Sequence, residues 1–445
     1  MKKLFLITLL LCFVGTFAAC GKEKPEKENK KPKITSAPES VVDSSPEKET
    51  EEAEDKDEVE AAGLPQLLSL QQTYTTRQDW QEEIRVLYSE CSSVTVREGA
   101  EQYPELSRIL SEKVGMQTRT MEDEADNILS FIKDAGMLTG DLTGFETQVS
   151  TSEAQVRRAD SVVLSYLEDS YADYGFIEEF RGMWGSNYDV QTGKELMLSE
   201  VLLDMEAIPG IVLKELNEYI RTGDAYAETA VTNYFKNTPL DSIRWSLDYN
   251  GVTFYFGDGD ISEAGNGGQT VTVSFAEYPD LFAEKYKNVP KAYMVRLPMD
   301  ASFFTDLNGD GTVEELSCTG LFQKADRCYT QFGIYTNVDG YYHYEELFAY
   351  EFQPYYVKAE DGNHYLYLFC EEGEDGNLQK KLVVYNVNGG VVTRVGESKV
   401  APAAASSDTF VVPLDPGYML LDNYDNLAQG AEGYGVGKDG MPILK

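Results

Sequence analysis

Residues Asp306-Leu307-Asn308-Gly309-Asp310-Gly311-Thr312-Val313-Glu314 place oxygen-bearing side chains at alternate positions of a short segment. Side-chain oxygens at 306, 308 and 310 can converge on one hard cation. The Thr312 carbonyl and the Glu314 carboxylate can complete the shell, and Gly311 allows the sharp turn that such a loop needs. The twelfth position from Asp306 is Ser317, where a helix-loop-helix calcium site carries a bidentate Glu. The flanks also read as strands, so the expected occupant is a structural calcium ion on a β hairpin. A polar Asn-Gly turn without metal is the other reading of the same residues.

Other reactive groups are sparse or scattered. The two histidines, His343 and His364, lie in β-like segments among tyrosines, and a zinc site or catalytic triad on them would need partners that spacing does not reveal. No catalytic residue is assigned. Asp173, Glu178 and Glu179 beside Trp184 and Tyr188 form the most suggestive acidic cluster. If functional, it would grip a basic protein partner; a solvated acidic loop is the alternative. Tyrosine is abundant at 29 residues and dense from Tyr335 to Tyr367. That density suits protein or glycan interfaces as well as strand packing.

The N-terminus indicates where this chemistry would operate. Lys2 and Lys3 precede a nearly continuous apolar run from Leu4 to Phe17, followed by Ala18, Ala19 and Cys20. A basic start, a short apolar run and small residues before a cut site are the pattern of a secretory signal. Phe17-Ala18-Ala19-Cys20-Gly21 resembles the bacterial lipobox. That resemblance implies cleavage before Cys20, fatty acylation of its thiol (palmitate or a similar chain) and attachment to the outer face of the cell membrane. Two or more acyl chains anchor stably where one does not. Beyond Cys20, the chain to residue 63 is Lys-rich, then Glu/Asp-rich, with Pro25, Pro32, Pro38 and Pro46. Such a composition buries too little apolar surface to offset ordering entropy and reads as a disordered tether. The net charge of −38 argues against nucleic-acid binding, which needs Lys and Arg to displace counterions. Cys91, Cys318, Cys328 and Cys370 remain; Cys318 and Cys328 could pair, and four free core thiols are equally compatible.

The elements that must position these groups follow from periodicity. Residues 84–96 read as a strand. Apolar residues from Leu106 to Ile132 at spacings of three, four and seven predict a helix, with a break near Gly115 and a stop at Gly136. One or two strands are predicted over 155–174, and strand–turn–strand over 188–196 with Gly193 in the turn. A short helix capped by Ser199 follows, then a helix with Pro209 in its first turn and Gly223 at its end. Strands are predicted at 243–257 and 269–275, with a short helix over 278–286. Strands at 315–321, 328–336, 341–352, 364–370, 381–386 and 391–396 make the later chain β-rich, with a loop at 401–407.

A family resemblance covers roughly 84–290. Arg158-Ala159-Asp160-Ser161-Val162-Val163-Leu164-Ser165-Tyr166 is followed by Tyr188-Asp189-Val190-Gln191-Thr192-Gly193-Lys194-Glu195-Leu196-Met197-Leu198-Ser199-Glu200-Val201-Leu202. Trp245, then Gly251-Val252-Thr253-Phe254-Tyr255-Phe256 and Val271-Thr272-Val273-Ser274-Phe275 come later. This set resembles the extracellular domain shared by RsiV-type anti-sigma factors and the N-terminal part of PdaC-type peptidoglycan deacetylases. Because RsiV-type members bind lysozyme there, the resemblance implies protein or glycan sensing. The expected organisation is a signal (1–19), a lipidated tether (20–63), an RsiV-like α+β domain (64–295), a β-rich domain with the calcium-like loop (296–400) and a C-terminal extension packed on it (401–445). The expected function is extracytoplasmic binding or sensing at the bacterial envelope, of a cationic wall-active protein or a cell-wall glycan. An accessory wall hydrolase using acidic residues and a structural envelope lipoprotein are the alternatives.

Overall fold

The computed structural model describes residues 63–140, 142–175, 180–218, 226–262, 267–323, 328–372 and 379–445. The signal, Cys20, the tether up to residue 62, Glu178, Glu179 and Gly223 lie outside the described residues. Strand outweighs helix, 47% to 20%, so the expected mixture of sheets and helices is present with the weight on β.

The first sheet contains β1 (Ser69–Gln81), β2 (Ile84–Glu98), β3 (Gln148–Ala159), β4 (Val163–Asp173) and β5 (Phe180–Asp189), side by side in that order. Neighbours are antiparallel except β2 and β3, whose parallel pairing needs a crossover. Helix α1 (Pro104–Asp134) supplies it. Its Leu106, Leu110, Met121, Ala125, Ile128, Leu129 and Ile132 are buried, so the apolar spacing is the stripe that packs on the sheet. The helix runs unbroken through Gly115, and Gly136 follows its end at φ +71°. Residues Thr409–Val411, from far along the chain, pair with the free edge of β1.

Three helices follow: α2 (Leu198–Val201), α3 (Ile208–Glu218) and α4 (Glu228–Asn237). Met197, not Ser199, holds the N-cap position of α2, where the Glu200 carboxylate accepts its N–H at 2.9 Å. Strands β6 (Trp245–Leu247), β7 (Gly251–Phe256) and β8 (Gln269–Ser274) form a second, three-stranded sheet. Its Trp245, Phe254, Phe256 and Val273 share one core with Ile208, Val212 and Leu216 of α3. The expected helix over 278–286 is a 3-10 turn at Pro279–Leu281 and the single turn α5 (Glu284–Lys287).

The later chain stacks three sheets. Strand β9 (Tyr293–Arg296) joins β14 (Glu351–Lys358), β15 (His364–Glu372), β16 (Gln379–Asn386) and β17 (Thr393–Ser398) in the third sheet. Strands β10 (Ser302–Thr305), β11 (Glu314–Gln323), β12 (Cys328–Thr336) and β13 (Tyr342–Ala349) form the fourth. One face of each meets in a core of Phe303, Leu316, Phe332, Ile334, Tyr356, Leu366 and Val383. The opposite face of the third sheet packs Tyr355, Tyr367 and Phe369 against Val400, Met419 and Leu421. These last belong to a fifth sheet of β18 (Val400–Pro402), β20 (Met419–Asn423), β21 (Ala431–Val436) and β22 (Pro442–Leu444), with β19 (Thr409–Val411) leaving it for β1. Residues Leu64–Lys445 form one compact unit. The expected divisions at 295/296 and 400/401 fall within β9 and β18. All four described cysteines are free, including Cys318 and Cys328.

Two consecutive arginines lock the sheets together. Arg157 and Arg158 sit at a bulge in the β3–β4 register and are buried, at 1% and 0% exposed. Arg157 grips Asp248 with Nε and Nη2 (3.1 and 2.8 Å) and donates from Nη1 to the Arg296 carbonyl at 3.1 Å. Arg158 bonds Asp160 at 2.7 Å and the carbonyls of Tyr286 and Asn288 at 2.7 and 3.2 Å. The Arg158-Ala159-Asp160 segment thus forms a buried clasp.

Candidate functional site

The 306–314 loop closes the β10–β11 hairpin, whose register pairs Thr305 with Glu314. Asp306 accepts the N–H groups of Gly309 (2.6 Å) and Gly311 (3.0 Å). Both glycines lie at positive φ, +80° and +91°, a conformation that suits glycine. Carboxylate oxygens of Asp306, Asp310 and Glu314 all lie within 4.8 Å of one another. Oxygens so spaced can each reach one cation at about 2.4 Å, the calcium–oxygen distance. The Asn308 amide N–H group donates to Glu314 at 2.6 Å and to Asp310 at 3.1 Å, so it would have to turn its oxygen inward to ligate a cation there. Asn308 Oδ1 accepts the Asp310 N–H, and the Thr312 hydroxyl donates to Asp310. Burial raises the Glu314 carboxyl, the Leu307 N–H bond lowers it, and the charges of Asp306 and Asp310 raise it further. Hydrogen bonds from Thr312 hold Asp310 down. The carboxylates of Asp306, Asp310 and Glu314 converge, whereas Asn308 turns an N–H donor toward them and spends its oxygen on the Asp310 N–H, and the Thr312 side chain steadies Asp310.

Of the expected partner residues, the described Asp173, Trp184 and Tyr188 are spread along the β4–β5 pair. Asp173 ends β4 and accepts the Gly175 N–H at 3.0 Å. Trp184 is half-buried on β5 opposite Glu168, and its ring lies across Gly182, where a Cβ would meet Trp184 carbons at 2.0 Å. Tyr188 is 2% exposed, stacks on Tyr166 at 6.2 Å and carries the Lys113 ammonium over its ring at 5.3 Å. The expectation that Tyr188 meets a partner is therefore corrected: α1 covers that end of β5. The Thr192-Gly193-Lys194 turn also docks on α1, where a Cβ at Gly193 would meet the Glu105 backbone at 2.8 Å. Lys194 and Glu195 there line a cavity of about 420 Å³ with Asp189, Glu200 and Lys285.

Sequence reasoning missed a carboxylate-rich seam where the first sheet meets β9 and β14. Glu153 of β3 receives two bonds from Arg296 Nη2 (3.0 and 3.2 Å) and one from the Tyr74 hydroxyl (3.0 Å). Asp169, opposite Glu153 on β4, is held by Arg181 at 3.1 and 2.8 Å. The Gln155 amide bridges Glu153 and Asp169 at 3.3 and 3.4 Å. Glu351, which begins β14, accepts a bond from neutral Gln353 at 2.6 Å. Glu90 of β2 accepts bonds from the hydroxyls of Tyr88 (2.7 Å) and Thr76 (3.1 Å). Burial raises the carboxyls of Glu90, Asp169 and Glu351, and the charge of Glu153 raises each further. Perturbed carboxylates gathered in one place mark a functional-site candidate. Gln155 Oε1 and Arg296 Nε in the same seam are buried without a hydrogen-bond partner. The seam's one sequence signal is polar residues inside strands: Ser150-Thr151-Ser152-Glu153 occupies β3 where apolar alternation would be expected.

No family model and no curated protein matches the chain. Among solved structures it is similar to a DUF3298-family protein from Bacteroides fragilis at 10% identity and a TM-score of 0.36, over 50% of this chain and 96% of that one. It is also similar to a DUF3298-family protein from Pseudomonas aeruginosa at 14% identity and a TM-score of 0.35, over 51% of this chain and 100% of that one. The structural neighbours are thus DUF3298-family proteins of low identity that span half of the chain.

Proposed function

We propose that this chain is a lipid-anchored extracytoplasmic binding or sensing protein of the bacterial envelope whose partner is a cationic wall-active protein. The observation that carries the reading is the seam. Its four carboxylates share two arginines, which leaves Glu90 and Glu351 bonded to neutral groups. A lysine or arginine side chain from a partner would neutralise them, and the tyrosines around them offer rings for cation–π contact. The lipobox-like Cys20 supports the location, and the net charge of −38 would steer a basic protein toward the chain. The RsiV- and PdaC-like motifs agree with protein sensing. A structural calcium ion in the 306–314 loop would brace the β10–β11 hairpin.

The test is capture of lysozyme on immobilised protein at low and high salt. Salt-sensitive capture, weakened in Glu90→Gln/Glu351→Gln, is the expected result. No capture at low salt would remove lysozyme as the partner, and capture that the double substitution leaves unchanged would remove the seam. A second reading, an accessory wall hydrolase, draws on one feature. Glu351 is pushed toward its protonated form while Glu153 sits against Arg296, and unlike carboxyls of this kind serve as acid and base in glycoside cleavage. Turnover of labelled peptidoglycan abolished by Glu351→Gln would favour it.

A further inference from the structure

Helix α3 buries a charged residue within its apolar stripe. Ile208, Val212 and Leu216 form the stripe, and spacing of three and four residues places Glu215 on the same face. Glu215 is 0% exposed. A carboxylate so deeply buried is rare unless it is paired, and Glu215 is paired on one side alone. Its Oε1 accepts the Lys214 ammonium at 2.8 Å and the Tyr278 hydroxyl, which itself accepts Lys214 at 2.9 Å. Its Oε2 is buried with no hydrogen-bond partner among the described residues.

The residue before Tyr278 has the same deficit. Glu277 lies in the turn after β8, which is held by the Ala276 and Tyr278 N–H groups on Ser274, both at 3.1 Å. The Oε2 atom of Glu277 is likewise buried and without a partner among the described residues. Two bare carboxylate oxygens enclosed where α3 meets this turn carry a double penalty when both are charged. Burial strips water from each, and each repels the other. A single proton relieves both effects, because it neutralises one carboxyl and offers the other a donor. The surroundings of Glu277 act in the same direction. Burial raises its carboxyl most, and Glu215 raises it next. Lys214 lowers it, whereas Glu218 of α3 and, most weakly, Asp310 of the 306–314 loop raise it.

We propose that Glu277 and Glu215 hold one proton between them in acid, as a latch that fastens α3 to the turn after β8 and loosens when the proton leaves. Proton loss sets two like charges across the joint, with Lys214 bonded to one of them. Because α3 carries Val212 and Leu216 into the core beneath the second sheet, the latch makes the anchorage of that core responsive to pH. It is independent of the seam.

The test is hydrogen exchange of the full chain read by mass spectrometry, with parent and Glu277→Gln compared at the same pH so that the intrinsic chemistry of exchange cancels. At about pH 8 the α3 peptides should exchange about tenfold faster in the parent, and at about pH 5 the two should agree. Glu215→Gln removes the like charge and should also slow α3 exchange at about pH 8, so it decides the matter if Glu277→Gln fails to fold. Lys214→Met, which removes the cation at the joint, should speed that exchange. Equal α3 exchange in parent and both glutamine variants at both pH values overturns the proposal. So does a difference at about pH 8 that added calcium or sodium abolishes, because the gap would then hold a metal ion in place of the proton.

Discussion

Replacing Arg157 by Met should cost the fold far more than a surface ion pair would. The pair it forms with Asp248 is bidentate, with both side chains 1% exposed. Its guanidinium also lies 5.0 Å from the Phe303 ring centroid and holds the Arg296 carbonyl. One side chain thus joins β3, the turn before β7, β9 and β10. Removing one partner of a buried pair costs about 3–5 kcal/mol, because the other charge stays buried. In Arg157→Met, Asp248 keeps the hydroxyls of Ser246 (2.8 Å) and Thr253 (2.7 Å), which places this change near about 3 kcal/mol. Asp248→Asn leaves a guanidinium facing neutral acceptors and belongs near about 5 kcal/mol. Urea unfolding followed by tryptophan fluorescence measures both, and the double variant should be less destabilised than the sum by at least about 1 kcal/mol. Losses below about 1 kcal/mol for both single variants, the value of an exposed pair, would refute the reasoning.

Three further outcomes are expected. Calcium added to metal-stripped protein at a hundredfold excess over its dissociation constant should stabilise it by about 2.7 kcal/mol, and Asp306→Asn/Glu314→Gln should abolish the effect; an unchanged melting temperature would exclude the ion. Burial, then the charge of Glu215, raises the Glu277 carboxyl to about 6. The folded state therefore holds this proton longer, stability falls as pH rises from about 4.5 to about 6, and Glu277→Gln should recover about 1 kcal/mol above that window after solvent screening; equal pH profiles for parent and variant would contradict it. Burial raises the thiols of Cys91 and Cys370 to about 11 and about 12, and pushes Cys318 further up. Ellman's reagent should accordingly label the partly exposed Cys328 before these three in native protein.

What sequence could reveal tracked the range of the interactions. The 306–314 hairpin turn was legible because its Asp, Asn and Gly residues lie within one short stretch of chain. Helix α1 was legible because Leu106 to Ile132 carry their own period, and Gly193 because a tight turn demands its conformation. Strand β1 was missed because Gln71, Gln72, Thr73, Thr75 and Thr76 lack apolar alternation; its pairing with β2 and the polar seam explain that composition. The run at 341–352 read as one strand and is two, since the chain turns at Tyr350 to enter a different sheet. The seam was invisible because it gathers Tyr74, Glu153, Arg296 and Glu351, whose approach depends on two sheets meeting. Tyr188 was grouped with acidic residues as a partner contact, and the packing of α1, invisible in the local sequence, buries it.

The short pairing of Thr409–Val411 with Gln71–Thr73 imposes an order of events. A nascent chain cannot complete the border of its earliest sheet until nearly the whole polypeptide has emerged. Ribosome-bound or truncated versions ending before residue 409 would present an unpaired β1 margin, an adhesive template for other strands. Final consolidation therefore waits on synthesis of the tail.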